Sequence, residues 1–405
     1  MIQLIHIVNF KSIAAATLEL GSFNCLVGLN GAGKSTVLQV FDFLSHLMLG
    51  DIEAWLQERN WQASDLNNKL RKESNISLVV TYQVEEGHRL IWRGDFNRTL
   101  LRCTKEWVDE VWSGDAGNLR HKLFRAEGSG YSFEGEPRCD VAFTYQGSLL
   151  SVLKDSELPV PLLAFREAMR HIRSLELLAP QLLRKRARST DVDMGMGGER
   201  LSAYLGSIKG QDKSTLLALL KQFYPSVVDF KVTSMVSGWK KLSVTEQFGS
   251  HTLETEATHL NDGLLRVLAV LAQASSHRSL ILLDEIENGI NQELVETLVD
   301  TLVASKQQLL VTTHSPLILN YLDDDVARQA VQLVYKSADG GTRLRRLFDI
   351  PRISAKLDAM GPGDALVDTD LRLLVQECLA LDQEEAQATI AQFWTEASTQ
   401  RVAKA

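Results

Sequence analysis

The chain of 405 residues has few of the features that mark secreted, zinc-stabilised or membrane-spanning proteins. Its four cysteines, Cys25, Cys103, Cys139 and Cys378, lie far apart and form no Cys-x-x-Cys pair, so neither a zinc site nor a disulfide framework is indicated. No uncharged apolar run approaches the ~20 residues that a membrane helix needs. The first residues alternate between apolar and polar types, unlike the unbroken apolar region of a signal peptide. These absences predict reduced thiols and a cytoplasmic location.

An excess of basic residues is also missing. The chain has 43 lysines and arginines against 51 aspartates and glutamates, which gives a formal net charge of −8. This balance argues against a general nucleic-acid coat and leaves room only for local basic patches. With 45% hydrophobic and 23% charged residues, the composition is that of a soluble protein with a sizeable core.

One glycine-rich segment has the spacing of a phosphate-binding loop. It runs from Gly28 to Ser35 as Gly-Leu-Asn-Gly-Ala-Gly-Lys-Ser, between an apolar strand-like run and an apolar-striped helix. Glycines let backbone N–H groups converge on an anion at a helix N-terminus. Lys34 is placed to reach the β- and γ-phosphates, and Ser35 the Mg²⁺. We expect the nucleotide contacts to come from Asn30, Gly31, Ala32, Gly33, Lys34, Ser35 and Thr36.

Three further segments predict the rest of an ATP site. Asp284 and Glu285 follow four apolar residues, so Asp284 is placed to hold the hydration shell of Mg²⁺ and Glu285 to deprotonate the attacking water. His314 follows the next buried run, at the strand end where ligands of parallel sheets bind. A helix beginning near Asn261 and Asp262 has a capped N-terminus that can face phosphate.

The predicted elements indicate an α/β protein. From residue 242 onward, strands and helices alternate, as in a parallel sheet covered by helices. Alternating runs at 76–84 and 89–92 predict a hairpin in a flanking antiparallel sheet, with further strands near 99–101 and 131–133. Residues 159–222 predict a helical middle region. We expect an N-terminal ATPase lobe at 1–158, a helical insertion at 159–225, a C-terminal ATPase lobe at 226–350 and a helical tail at 351–405.

The order of these motifs resembles that of a known group of proteins. Asn9-Phe10-Lys11-Ser12, the phosphate loop, HLNDGLLR, LILLDEIENG and TTHSP, spread over residues 1–320, are similar to the ABC-type ATPases of the RecF, SMC and OLD families. The chain resembles above all the compact OLD-like ATPases, several of which act in anti-phage defence beside a nuclease. The resemblance implies an ABC-type ATPase head with a mixed nucleotide-binding sheet, a flanking antiparallel sheet and a helical middle subdomain.

The resemblance also implies a head-to-tail homodimer that buries two ATP molecules. The phosphate loop of one subunit would bind ATP, while residues of the other subunit, Asn261, Asp262 and Gly263, would contact the γ-phosphate. Asn261 stands where the family usually has serine, and its amide can still donate a hydrogen bond. The resemblance further implies that Glu285 is the catalytic base, that Asp284 is the Mg²⁺ partner and that His314 senses the γ-phosphate. It also implies a nucleotide contact for Lys11 and a metal contact for Gln146, whose alternative interpretation is a surface loop residue.

Two features of related proteins are absent from this sequence. No sustained heptads lie between the phosphate loop and the acidic pair, so SMC-like arms are not expected. Asp368 and Asp370 imitate the acidic pair of a Toprim nuclease, but no Glu-Gly motif precedes them. We interpret both aspartates as turn or helix-cap residues and expect no nuclease within the chain.

Two basic clusters are candidate nucleic-acid contacts, although charge runs are often solvated faces that pair with carboxylates. The residues are Arg166, Arg170 and Arg173, predicted on one helical face, followed by Arg184, Arg186 and Arg188. Three functions stay open: an ATP-hydrolysing dimer that senses nucleic acid and controls a nuclease or toxin, a nucleotide-gated scaffold with little turnover, and a RecF-like DNA repair ATPase.

Overall fold

The computed structural model describes residues 1–114, 117–175, 179–188, 193–276 and 278–384. Its strands are β1 (Ile2–Phe10), β2 (Ile13–Glu19), β3 (Phe23–Val27), β4 (Asn75–Glu85), β5 (His88–Asn97), β6 (Arg102–Gly114), β7 (Gly117–Glu127), β8 (Gly130–Phe133), β9 (Cys139–Asp140), β10 (Ile172–Leu175), β11 (Val227–Ser234), β12 (Lys240–Phe248), β13 (His251–Glu256), β14 (Leu280–Leu283), β15 (Gln308–Thr312), β16 (Val331–Lys336) and β17 (Thr342–Arg346). Its α-helices are α1 (Lys34–Leu49), α2 (Ile52–Glu58), α3 (Val160–Arg170), α4 (Pro180–Leu183), α5 (Leu201–Ser207), α6 (Gly210–Phe223), α7 (Asp262–Ala274), α8 (Gln292–Val303), α9 (Asp324–Ala330), α10 (Pro351–Ser354) and α11 (Pro362–Val367). Residues 371–384 are also helical, and the predicted tail beyond them lies outside the described residues.

A six-stranded mixed sheet carries the phosphate loop. Its order is β10-β14-β15-β3-β16-β17, and every neighbouring pair is parallel except β16 with β17. Strands β3, β14 and β15 are buried along their whole length, as expected where helices cover both faces of a parallel sheet. The loops that follow these three strands therefore meet at one edge of the sheet.

Alternating side chains of this sheet separate two hydrophobic cores. Leu280 and Leu282 of β14 pack in the core that contains α1 and the antiparallel sheet. Ile281 and Leu283 pack in the core that contains α7 and α8. Because side chains alternate between the faces of a sheet, a shift of β14 by one residue would exchange the side chains that enter the two cores. The apolar pattern therefore determines the register.

The flanking antiparallel sheet was predicted and is present. It has eight strands in the order β2-β1-β4-β5-β6-β7-β8-β9, and the predicted hairpin is β4 and β5 with a turn at Glu86-Gly87. Side chains of β5 alternate between buried and partly exposed positions, which is the pattern of a sheet with one face on the core. The strand expected at 99–101 is wrong: these residues form a turn, and β6 begins at Arg102.

The middle region, which was expected to be helical, also contains a strand. Helix α3 ends at Arg170, and strand β10 then enters the central sheet beside β14. Arg173 therefore lies on a strand and not on the helical face predicted for it. A strand of four residues is too short to show a periodicity of its own against helical neighbours.

The aspartates expected at caps occupy such positions. Asp368 ends α11, and Asp370 Oδ1 accepts a hydrogen bond of 2.8 Å from the backbone N–H of Arg372 at the start of the next helix. Cys25, Cys103 and Cys378 are buried free thiols, and Cys139 is an exposed one. Within the described ranges, the helices are too short or too polar to cross a membrane.

Candidate nucleotide site

Helix α1 begins directly after the glycine-rich loop and has no side-chain cap. Gly33 at its N-cap has φ of 114°, a conformation that side chains with a β-carbon rarely adopt, and a Cβ there would lie 2.3 Å from Thr342 Oγ1. The N–H groups of the first turn are therefore not used by a capping side chain. They and the helix dipole suit a phosphate group, so the loop fits the ligand that its sequence predicts.

Lys34 is held inside this loop. Its ammonium donates hydrogen bonds to the carbonyl oxygens of Gly28 at 2.8 Å and Leu29 at 3.4 Å, and it lies 3.5 Å from His314 Nδ1. Burial lowers the pKa of Lys34, whereas three nearby carboxylates raise it. The pKa stays lowered overall, and all three carboxylates that oppose the effect of burial lie in the segment after β14.

Ser35 and Asp284 meet at the sheet edge. Ser35 Oγ donates to Asp284 Oδ2 at 3.0 Å, and the hydroxyl of Thr312 donates to the other carboxylate oxygen. A hydroxyl beside a carboxylate is a donor set that Mg²⁺ takes together with water and phosphate oxygens. In the described part of the chain, no cluster of three or more His, Cys, Asp or Glu side chains is arranged to hold a metal. The pair therefore fits an ion that arrives with a nucleotide.

Glu285 has a strained backbone. Its φ is 50°, in the left-handed region, which costs about 1–3 kcal/mol for a residue with a β-carbon. The strained residue is held by a 2.9 Å hydrogen bond from its N–H to Thr312 Oγ1 and by Asn288 Nδ2, which donates to Glu285 Oε2 at 3.3 Å. This conformation directs the carboxylate towards His314 Nε2, 2.7 Å away.

His314 links the two halves of the site. Lysine can only donate, so Nδ1 accepts from Lys34 and Nε2 carries the proton that it donates to Glu285. A neutral imidazole satisfies both contacts. The ring therefore connects the ammonium of the phosphate loop with the predicted catalytic base.

Glu287 is a residue of the site that the motifs do not predict. Its Oε1 accepts from Thr313 Oγ1 at 3.0 Å, from the N–H of His314 at 2.7 Å and from the N–H of Ser315 at 3.1 Å. The segment after β14 is therefore fastened to the segment after β15. The repeated acidic residue in Asp-Glu-Ile-Glu was the available signal, but its partners follow another strand.

The assembled pocket has a volume of about 480 Å³. It is lined by predicted residues and by Ser12 and Lys336, which the motifs do not predict. The predicted residues in the lining are Asn30, Gly31, Gly33, Lys34, Ser35, Thr36, Glu285 and His314. Ala32 is buried beneath the loop, and its carbonyl accepts a hydrogen bond from Thr342.

Lys11 lies beside this pocket and not in its lining. Its Nζ is 3.4 Å from the centre of the Trp61 ring and donates to Gln39 Oε1 at 2.8 Å. With Ser12 and Asn67, Lys11 lines an adjoining pocket of about 380 Å³. Because Ser12 belongs to both linings, the two pockets are neighbours, and a nucleotide contact by Lys11 stays a prediction.

The residues at the start of α7 do not line the pocket of their own subunit. Asn261 Oδ1 accepts from the N–H of Leu264 at 2.7 Å, which confirms the predicted N-cap. Asp262 forms an ion pair with Arg184. A Cβ on Gly263 would lie 3.1 Å from Tyr224 Oη, so this glycine allows close packing. The arrangement leaves any phosphate contact by these residues to a second subunit.

The structure does not support the predicted metal contact of Gln146. Its side-chain amide accepts from the N–H of Glu53 at 2.9 Å and donates to Glu53 Oε2 at 3.1 Å. The N–H of Ser148 donates to the carbonyl of Leu47, which places this segment at the C-terminal end of α1. A helix of 16 residues is about 24 Å long, so Gln146 lies a helix length away from Ser35.

The predicted nucleic-acid contacts of the first basic cluster are also corrected. Arg166 is 1% exposed and donates to the carbonyls of Leu150 and Leu153. Arg170 donates to the carbonyls of Met48 and Ser151, and Arg173 to those of residues 170 and 172. Among the second cluster, Arg184 and Arg186 form ion pairs with Asp262 and Glu256. Buried carbonyls need donors, so the guanidinium groups of the first cluster stabilise the fold. The ion pairs of Arg184 and Arg186 are partly exposed to solvent, so a nucleic-acid contact by these two residues stays a prediction.

Arg188 is the exception. It is exposed, and no ion pair involving it is found among the residues that the structure covers. It lies beside Gly238 in the turn between β11 and β12.

Comparison with known proteins agrees with this site. An "AAA ATPase domain" family model matches residues 1–125, and a second model, "AAA domain, putative AbiEii toxin, Type IV TA system", matches residues 159–320. A segment of 56 residues is 50% identical to the DNA replication and repair protein RecF of Porphyromonas gingivalis, which is 13% of this chain and 15% of that protein. A segment of 109 residues is 28% identical to the OLD nuclease of Thermus scotoductus, which is 27% of this chain and 19% of that protein. The chain therefore matches less than a fifth of the length of either relative.

A solved structure, that of an SMC head bound to the C-winged helix domain of ScpA, shares the fold. It matches 85% of this chain and 97% of its own, at 14% identity and a TM-score of 0.50. Together with the motifs assembled at the sheet edge, the two AAA models, the RecF and OLD similarities and the SMC-head fold support an ABC-type ATPase of the RecF, SMC and OLD group.

Proposed function

We propose that this protein hydrolyses ATP between two copies of itself and that the resulting dimer senses nucleic acid and controls a partner nuclease or toxin in anti-phage defence. The observation that carries the ATPase part is the convergence of Ser35, Asp284, Glu285 and His314 on the phosphate loop. The description of the family model over residues 159–320, an AAA domain of a putative toxin in a type IV toxin–antitoxin system, supports the link to a toxin-based defence system.

In the proposed reaction, water attacks the γ-phosphorus and the bond to the β-phosphate oxygen breaks, which yields ADP and phosphate. Glu285 orients this water and takes its proton, while His314 holds the carboxylate in place through the 2.7 Å hydrogen bond. Lys34 and the N–H groups of α1 bind the phosphates. Ser35 and Asp284 would hold Mg²⁺, whose charge neutralises the phosphate oxygens.

The second copy would complete the pocket. The N-terminus of α7 has a capping asparagine and a close-packed glycine, and a helix start favours an anion. Asp262 would repel a phosphate, but its ion pair with Arg184 offsets this charge. A homodimer in which α7 of each copy faces the phosphate loop of the other therefore suits the charges on both surfaces.

The test compares the wild-type protein with Glu285→Gln, which removes the base and keeps the size of the side chain. We expect steady-state ATP turnover by the wild type, stimulated by DNA, and none above background in the variant. Light scattering of the variant with Mg²⁺ and ATP should give twice the mass of the 45.2 kDa chain. If the wild type turns over no faster than Glu285→Gln, the nucleotide-gated scaffold replaces the ATPase.

The effector part needs a separate experiment. Glu285→Gln is purified from the native host in the presence of ATP, and the Lys34→Ala variant, which lacks the phosphate-binding ammonium, serves as the control. A nuclease or toxin enriched only with Glu285→Gln supports control through the ATP-bound dimer. Equal recovery with both variants would contradict nucleotide control.

A further inference from the structure

A second lysine lies at the phosphate loop, on the opposite side from His314. Lys336 is the last residue of β16 and lines the same pocket as Gly31, Gly33 and Lys34. Strand β15, which leads to His314, and strand β16 lie on either side of β3 in the central sheet. Lys336 and His314 therefore approach the loop from different sides.

The hairpin of β16 and β17 forms a wall of the phosphate loop. Gly28 packs so closely on β16 that a Cβ there would lie 2.2 Å from the carbonyl oxygen of Val334. Across the hairpin, Lys336 pairs with Thr342, whose hydroxyl donates to the carbonyl of Ala32 at 2.8 Å. These contacts determine where the stem of Lys336 lies relative to the loop.

The ammonium of Lys336 lacks a counter-ion within the described ranges of the chain. Its hydrogen-bond partner there is the hydroxyl of Thr342, at 3.2 Å, and no carboxylate forms an ion pair with it. Burial lowers the pKa of this partly buried group. A cation that is partly removed from water and faces a pocket is stabilised when an anion enters that pocket.

The layout of the site indicates which part of a nucleotide reaches Lys336. Glu285 and His314 mark the end where the γ-phosphate reacts in the proposed function. Ser12 lies at the other end, where it contacts the hydroxyl of Thr342 at 2.8 Å and joins this pocket to the adjoining one. The polyphosphate would run from His314 across Lys34 towards Ser12 and Lys336.

We propose that Lys336 binds the α- and β-phosphates of the nucleotide, the part that ATP and ADP share. This inference rests on the proposed ATP binding. It predicts that Lys336 contributes equally to the affinity for ATP and for ADP. A contact at the γ-phosphate end, such as His314, contributes to the affinity for ATP alone.

The test measures the binding of ATP and of ADP, each with Mg²⁺, to the full chain by calorimetry. Glu285→Gln is the background, so that ATP stays intact. Lys336→Gln should weaken both nucleotides about tenfold, the effect of losing one charge-assisted hydrogen bond. Lys336→Arg keeps the charge and should lose less. Lys154→Gln, at a lysine whose side chain is 81% exposed, is the matched control and should bind as the background does.

Thermal unfolding shows whether each variant is folded, and Lys336→Met provides a second neutral side chain if Lys336→Gln is not. ADP affinity that stays within about twofold of the background in a folded neutral variant overturns the inference. Weakened ATP binding with unchanged ADP binding overturns it too, because Lys336 would then lie at the γ-phosphate. If the background protein binds neither nucleotide, the proposed function itself fails.

Discussion

Glu287 provides the sharpest test of how the site works. Its Oε1 accepts three hydrogen bonds from residues 313–315, and Glu287→Ala removes all of them. The N–H of Ser315 also lies 3.0 Å from Thr313 Oγ1, so it keeps an acceptor in the variant. The loss therefore falls mainly on the N–H of His314, which donates to the carboxylate at 2.7 Å.

The size of the effect follows from this one bond. A hydrogen bond to a charged group contributes about 1.5–3 kcal/mol, which corresponds to about a ten- to hundredfold change in the population of the ordered segment. His314 contacts Glu285, the proposed catalytic base, so we expect kcat for ATP hydrolysis to fall by up to this factor. Affinity for ADP should stay unchanged, because the phosphate loop is intact.

Two variants separate this role from a general effect of charge. Glu287→Gln keeps an oxygen that can accept the same bonds, so its kcat should lie close to the wild-type value. Glu296→Ala removes an exposed carboxylate from α8 and is the matched control. If Glu287→Ala retains wild-type kcat, or if kcat falls equally in the Ala and Gln variants, the carboxylate does not act by accepting hydrogen bonds from residues 313–315.

Three other predictions concern the loop, the antiparallel sheet and nucleic acid. Gly33→Ala places a Cβ 2.3 Å from Thr342 Oγ1 at φ of 114°, so it should lower the unfolding temperature and abolish ATP binding in calorimetry. Burial raises the pKa of Glu106 to about 7 against three hydrogen bonds that lower it. Folding thus favours the protonated form, so the free energy of unfolding should fall as pH rises from about 4.5 to about 7. Urea titrations should show a slope of at most ~1.4 kcal/mol per pH unit, and Glu106→Gln should remove this slope. Arg188→Glu should weaken duplex DNA binding at moderate salt and reduce the salt slope by about 1, whereas Arg186→Glu would also break an ion pair of the fold. Unchanged affinity of Arg188→Glu would remove this surface from the proposal.

Several parts of the site could be predicted because each is a local pattern. The phosphate loop, the acidic pair and His314 each follow a short run of buried residues, and parallel strands bring their carboxyl ends to one edge. The N-cap at Asn261 depends on residues within three positions of it. The structure places the first three features where the strand order requires and the cap at the start of α7.

Other parts depend on contacts between distant segments. The order of predicted elements does not show that β10 pairs with β14 or that Gln146 forms hydrogen bonds with Glu53. It also does not show that Arg166 donates hydrogen bonds to buried carbonyls. A charged side chain looks alike in sequence whether it faces water or a buried partner. Its partner is chosen by the packing of chain segments that lie far apart.

The sequence by itself determined the ligand class and the strand ends that carry the chemistry, because backbone geometry and apolar periodicity act over a few neighbouring residues. Only the tertiary structure decided which side chains complete the pocket. Lys336 reaches it because the sheet order sets β16 beside β3, and Glu287 holds the segment that carries His314 because β15 lies beside β14. Hydrogen bonds and charges then act over a few ångströms in space, whatever the distance along the chain.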